Sequence, residues 1–158
     1  NSERIVSTGD IELEGPVHRR EGGMPVGNGV MGTLVWTTPH SLAMQINRTD
    51  VYASDGSSMS FPERHSDYGY GCGYVEIDFY ELGKPVFAAG QVKQHLRIYD
   101  GALEVSGAGV SCRVVAWDSR DVIAIRIRDE RKHSSPITVK VRMLRPARVR
   151  RTRTEVTG

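Results

Sequence analysis

The sequence predicts an all-β protein, an antiparallel β-sandwich, and three observations lead to this prediction. Apolar and polar residues alternate in five segments, and a period of two buries one face of a strand while the other stays in water. No window of helical length carries apolar residues at the i, i+3, i+4 and i+7 spacing of an amphipathic helix. Seventeen glycines and seven prolines divide the chain into short pieces, as turns between strands require.

Each alternating segment predicts one strand. In chain order they are residues 11–14, 42–47, 75–80, 123–128 and 137–143. Residues 33–39 add another strand, because they are apolar and β-branched and follow a glycine-rich turn. We treat residues 1–158 as a single sandwich domain, since a chain of this length can bury a substantial core.

Two turns can be predicted between strands. Residues 100–101 are Asp-Gly, a pair that a two-residue type I′ turn prefers, and this turn would place Arg97 directly opposite Glu104. Residues 118–121 are polar and lie between two β-like segments, so we expect a second hairpin there.

The segment from Ser54 to Gly73 has no clear period and predicts a long loop, a type of segment that is often functional. It contains His65 and Asp67, close to Tyr68 and Tyr70. Imidazole, carboxylate and aromatic groups suit a sugar-binding site, although loop carboxylates are commonly just solvated. A metal site needs more ligands at fixed spacing, so we predict no metal and no cofactor.

Residues 27–32 spell G-x-G-x-x-G, which is also found in dinucleotide-binding proteins. A nucleotide site requires a helix after the third glycine, whereas this sequence continues as a strand. We therefore interpret the motif as a tight turn entering a packed strand. Asn28 lies between two glycines, where a short amide can reach outward, and it is a second place where we expect a sugar contact.

Composition excludes several functional classes. No apolar run approaches the roughly 18 residues that a membrane-spanning helix needs. The arginine-rich residues 142–153 lack an aromatic platform or a known nucleic-acid module, so we expect a solvated face or linker and no nucleic-acid partner. Cys72 and Cys112 either form one bridge or are two free thiols, and the sequence leaves both readings open.

Several segments in the same order resemble one family. Residues 24–36 resemble "LP-GNGRLGAMV", residues 45–52 resemble "LNEDTLW", and residues 112–127 resemble "REVF-S-D-VIVVR". These are signatures of the N-terminal β-domain of glycoside hydrolase family 95, the inverting α-fucosidases and relatives. The chain departs from them at Val30, where the family has arginine, and at Arg48 and the shifted Asp50, where it has an acidic pair.

The resemblance implies a sandwich of the supersandwich type in a carbohydrate context. The family's catalytic carboxylates lie in a helical barrel after the β-domain, so no catalytic residue transfers to this chain and its status as an enzyme stays open. We expect a non-catalytic N-terminal part of a longer glycosidase-like protein, packed on that helical domain. The resemblance and the missing initiator Met indicate a secreted or periplasmic location. A free-standing carbohydrate-binding module or a structural domain is the alternative, and association of identical copies stays open.

Overall fold

The computed structural model describes residues 2–17, 19–53, 68–80, 84–132 and 136–144. Within these residues the strands are β1 (Ile11–Glu14), β2 (Met24–Gly27), β3 (Met31–Thr37), β4 (Ser41–Ala53), β5 (Tyr68–Asp78), β6 (Lys93–Arg97), β7 (Ala102–Gly107), β8 (Val110–Ala116), β9 (Ile123–Asp129) and β10 (Thr138–Met143). One short helix, α1 (Ser2–Val6), precedes them, with 3₁₀ turns at Ser7–Gly9 and Arg20–Gly22. The predicted all-β class is confirmed.

The strands form two antiparallel sheets of five. The first sheet has the order β1-β6-β7-β8-β9, and the second has the order β10-β5-β4-β3-β2. Each sheet takes most of its strands from one half of the chain. The first and last strands are the exceptions, because each joins the sheet of the other half of the chain: β1 pairs with β6, and β10 pairs with β5.

The core fills the space between the two inner faces, as the period of two requires. The most buried side chains come from both sheets and from the segment that joins them: Val35, Leu42, Met44, Leu103, Val105, Val114, Phe79 and Phe87. The last two pack edge to face, with ring centroids 5.7 Å apart. Phe79 and Phe87 both lie in the connection from β5 to β6, so this connection contributes two aromatic rings to the core.

All five alternating segments overlap strands, although segment 75–80 runs past the end of β5 at Asp78 and segment 137–143 begins one residue before β10. Of the predicted strand 33–39, residues 33–37 form most of β3. The predicted loop 54–73 is too long, because residues 68–73 belong to β5. The glycines of this segment made the strand hard to recognise from the sequence. One of them, Gly73, is required because β10 passes close to its Cα. A Cβ on Gly73 would lie 2.8 Å from the carbonyl oxygen of Arg142 on β10. Residues 54–67 lie outside the described part of the chain.

The predicted register of the β6–β7 hairpin is wrong by two residues. Arg97 pairs with Ala102, which leaves a four-residue loop closed by a bond from the Gly101 N–H to the Ile98 carbonyl. A type I′ turn needs two positive φ angles, and at residues 100–101 only Gly101 has one, at 59°. A register shift of two residues leaves every side chain on its predicted face of the sheet. Arg97 therefore still contacts Glu104 diagonally across the strands, with Nη1 and Oε1 3.5 Å apart.

The tight turn of this region lies elsewhere, between β7 and β8. Gly107 pairs with Val110, and both intervening residues have positive φ, 37° at Ala108 and 81° at Gly109. The hairpin predicted at residues 118–121 is confirmed, because the Trp117 N–H donates to the Val122 carbonyl at 2.9 Å.

The remaining features concern the cysteines and the membrane. Cys72 and Cys112 are both free, on strands of different sheets. Burial raises the pKa of the Cys112 thiol to about 12.

Among the described residues, no helix is long and apolar enough to cross a membrane.

Candidate functional site

Asn28 lies in the turn between β2 and β3, where its side chain bonds to two separate parts of the chain. Its Oδ1 accepts hydrogen bonds from the Val30 and Met31 N–H groups, at 3.0 and 2.8 Å. Its Nδ2 donates to the carbonyls of Trp117 and Arg120, at 2.6 and 3.2 Å. The amide predicted to reach a sugar is therefore engaged within the protein, where it ties the β2–β3 turn of one sheet to the β8–β9 turn of the other.

Arg48 on β4 makes a second tie to the same turn. Its Nη1 lies 2.6 Å from Oδ2 of Asp121, and its Nε lies 2.8 Å from Oδ1 of Asp50. These hydrogen bonds raise the pKa of Arg48 and lower that of Asp50. We call Asn28, Arg48 and residues 117–121 the inter-sheet latch. Asn28 and Arg48 of one sheet thus meet the β8–β9 turn of the other sheet at one end of the sandwich.

The other predicted site residues are placed only in part. His65 and Asp67 lie outside the described residues. Tyr68 and Tyr70 belong to the start of β5, with Tyr68 paired to Ala53 of β4, and their side chains are not described. The sugar contact expected from this segment stays a prediction.

A groove on the outward face of the second sheet brings together aromatic and charged side chains. Its volume is about 710 Å³. Across it, one row of paired residues runs from Trp36 on β3 through Ala43 and Glu76 to Lys140 on β10. We call this the outer groove. The groove is deepest at Ala43, because the alanine side chain is small and its paired neighbours Trp36 and Glu76 are larger.

The aromatic part of the outer groove has a defined geometry. The rings of Trp36 and Tyr74 are 6.4 Å apart and nearly perpendicular, with 82° between their planes. The Arg142 guanidinium lies 4.9 Å from the centre of the Tyr74 ring, and Arg20 Nη1 donates to the Tyr74 hydroxyl at 2.8 Å. Such cation–π and hydrogen-bond contacts hold Tyr74 in one orientation and leave Trp36 as the aromatic wall of the groove.

Polar groups continue the groove beyond the rings. Ser41 Oγ donates to Glu76 Oε1 at 2.9 Å, and the hydroxyls of Ser41 and Thr38 are 2.6 Å apart. Lys140 Nζ lies 3.3 Å from Asp78 Oδ2. An apolar wall beside oriented hydrogen-bonding groups is the usual composition of a small-molecule site.

The carboxylates with shifted pKa values lie away from this groove and have structural partners. The Ile98 N–H and then His95 lower the pKa of Asp10, and hydrogen bonds from Arg131 lower the pKa of Asp129. A lowered pKa suits an ion pair or a cap, whereas a general acid needs a raised one. No cluster of three or more metal-ligating side chains occurs in the part of the chain that the structure describes.

Sequence reasoning missed the outer groove, although part of the signal was present. Trp36 and Tyr74 both occupy the outward phase of their strands, which a soluble sheet normally fills with polar residues. Their meeting depends on the strand order, which the pattern of one strand does not encode. Compared with known proteins, the chain matches no family model and no curated sequence.

Proposed function

We propose that this chain is a non-catalytic β-sandwich domain of a secreted, glycoside hydrolase-like protein, and that its outer groove forms one wall of a sugar-binding site. The observation that carries the proposal is the perpendicular pair Trp36 and Tyr74, placed beside polar side chains in a groove of about 710 Å³. Small-molecule sites commonly span about 300–1,000 Å³.

The chemistry of a pyranose matches this composition. One face of the ring carries C–H groups and packs on an aromatic surface, while its hydroxyls need hydrogen-bond partners when they leave water. Arg142 already covers Tyr74, so Trp36 is the ring on which we expect the sugar to stack. Glu76 and Thr38, which line the same groove, supply acceptors and a hydroxyl.

We assign binding rather than hydrolysis to the groove. Inverting hydrolysis needs two carboxyl groups roughly 6.5–9.5 Å apart, one of which holds a proton at neutral pH. The two carboxylates that line the groove have other partners, since Glu76 accepts from Ser41 and the exposed Glu21 faces Arg20 at 3.6 Å. In this proposal, the catalytic groups belong to the helical domain implied by the resemblance.

The apolar side chains of β10 support packing against that helical domain. Val139 and Val141 pair with Ile77 and Val75, so they face inward, yet they are 58% and 65% exposed. Exposed apolar surface of this kind marks contact sites on soluble proteins. A free-standing carbohydrate-binding module is the alternative function, and the outer groove serves it equally.

The experiment uses the two tryptophans of the chain, Trp36 in the groove and Trp117 in the latch turn. In Trp117→Phe the fluorescence reports Trp36 alone, and Trp36→Phe is the matched control that reports Trp117. We expect millimolar fucose, galactose or plant oligosaccharides to change the fluorescence of Trp117→Phe only. Trp36→Ala should abolish the binding measured by NMR.

NMR of the unsubstituted chain separates the remaining outcomes. Shifts confined to residues 54–73 or to Asn28 would move the sugar site to the places that the sequence predicted. Resonances that stay still throughout, in a folded protein, would contradict sugar binding and leave a packing role. Hydrolysis of an aryl glycoside that depends on a carboxylate of this chain would contradict the non-catalytic assignment.

A further inference from the structure

The outward face of the first sheet holds a second groove, remote from the outer groove and different in character. Its volume is about 570 Å³, and four arginine or lysine side chains line it against one carboxylate, Glu104. The four are Lys93, Arg113, Arg126 and Arg128. We call it the basic groove. The whole chain has a net charge of only +2, so this concentration of positive charge is local.

Two serines form the floor of the basic groove. Ser106 on β7 pairs with Ser111 on β8, and both side chains point outward between Lys93 on β6 and Arg128 on β9. Because serine side chains are short, the surface at Ser106 and Ser111 is lower than at Lys93 and Arg128, which flank them. The two exposed hydroxyls add hydrogen-bond donors to the charged ones around them.

Most of the positive charge here is weakly neutralised. Glu104 is already held by Arg113 at 2.7 Å. Lys93 and Arg128 contact carboxylates only at 3.9 and 3.7 Å, with strongly exposed side chains. Arg126 has no ion-pair partner among the described residues. Weakly paired cations over hydroxyl donors are suited to oxyanions.

We propose that the basic groove binds a sulfated polysaccharide. Lys93 and Arg128 lie on strands three spacings apart, about 14 Å between their backbones, so both side chains would have to lean inward to share one small ion. A chain that carries repeated sulfate esters can contact both without this rearrangement, and its hydroxyls can bond to the serines. Single-stranded nucleic acid needs aromatic stacking surfaces, and duplex DNA is read by an element that enters a groove, whereas this face is a sheet without Phe, Tyr or Trp in its lining.

The test measures the affinity for dextran sulfate at low salt, with uncharged dextran, inorganic sulfate and a single-stranded DNA of equal charge as separate arms. We expect the double variant Arg126→Gln/Arg128→Gln to bind about tenfold more weakly. The variant Ser111→Asp places a negative charge on the floor and should weaken binding as well. The matched control Arg4→Gln/Lys84→Gln removes the same charge from exposed sites outside both grooves and should change little.

Each outcome of the binding experiment either supports or contradicts the proposal. Binding that falls with rising salt, and that millimolar inorganic sulfate displaces only weakly, supports an extended polyanion. Equal weakening in the control double variant would show a general charge effect and overturn the proposal. Tighter binding of DNA, or full displacement by inorganic sulfate, would overturn the ligand class. No arm involves Trp36, so failure here is independent of the sugar-binding proposal for the outer groove.

Discussion

Replacing Asn28 by alanine tests whether the inter-sheet latch holds the sandwich together. The substitution removes four hydrogen bonds, two within the β2–β3 turn and two to the β8–β9 turn. Each such bond contributes about 0.5–1.5 kcal/mol net. The turn is partly exposed and water can replace some partners, so we expect a loss of about 3 kcal/mol in the free energy of unfolding. For a domain of this size, that corresponds to a fall in Tm of about 6–12 °C.

Two further variants separate the latch from a general effect of losing an amide. Asn28→Asp keeps the acceptor for Val30 and Met31 but sets a carboxylate oxygen against the Trp117 and Arg120 carbonyls, so it should lose most of the same stability. Asn47→Ala is the matched control, because its Oδ1 accepts one bond, from Gln45 at 3.1 Å. We expect it to cost less than about 1 kcal/mol.

The assay is urea unfolding followed by far-UV circular dichroism, since Trp117 fluorescence would respond to the substitution itself. If Asn28→Ala unfolds within about 0.5 kcal/mol of the unsubstituted chain, or costs no more than Asn47→Ala, the latch does not stabilise the fold and our reasoning fails.

Three further predictions follow from individual residues. Ala108→Asn should stabilise the fold by about 0.5–1 kcal/mol, because Asn tolerates the positive φ of a type I′ turn better than Ala, and unchanged or lower stability in urea would contradict this turn assignment. Arg131 lowers the pKa of Asp129 below its usual 3.8, so this ion pair stabilises the fold fully above that value and less as the pH falls below about 4. Asp129→Asn should therefore cost about 3 kcal/mol at pH 7 and flatten the loss of stability below about pH 4, and an unchanged acid profile would contradict the pairing. Alkylation at pH 8 should modify Cys72 and leave the buried Cys112 thiol intact until unfolding, which mass spectrometry of the digested protein can check, and equal labelling of both would contradict the burial of Cys112.

The strands were predictable because an inward and outward alternation is written along each of them. The register between strands was harder to predict. The Asp-Gly pair at residues 100–101 is typical of a type I′ turn, but the Asp100 carboxylate contacts Arg97 and Arg113 at 3.0 and 3.1 Å in a longer loop. Arg97 is only three residues from Asp100, but Arg113 comes from β8, and a contact with another strand leaves no local signal. The tight turn at Ala108 was missed because alanine is an uncommon residue there.

The site residues show the same division. The glycine-flanked turn around Asn28 was recognisable, but the partners of its amide lie 89 and 92 residues further on. A sequence pattern indicates that an amide can reach outward, and only the fold shows what it meets. Trp36 and Tyr74 likewise lie on strands separated by β4, so their contact depends on strand order and on the small Ala43 between them.

The exchange of β1 and β10 between the sheets has a consequence for synthesis. β1 ends at Glu14, and its partner β6 begins at Lys93, so β1 leaves the ribosome well before the strand that it pairs with. At about 5–20 residues per second, the wait is roughly 4–16 s. During that time Ile11 and Leu13 have no sheet to join, and the intervening Glu12 and Glu14 are the kind of charged residues that discourage pairing with another nascent chain. The alternation that marks β1 as a strand thus also protects it while the rest of the domain is being made.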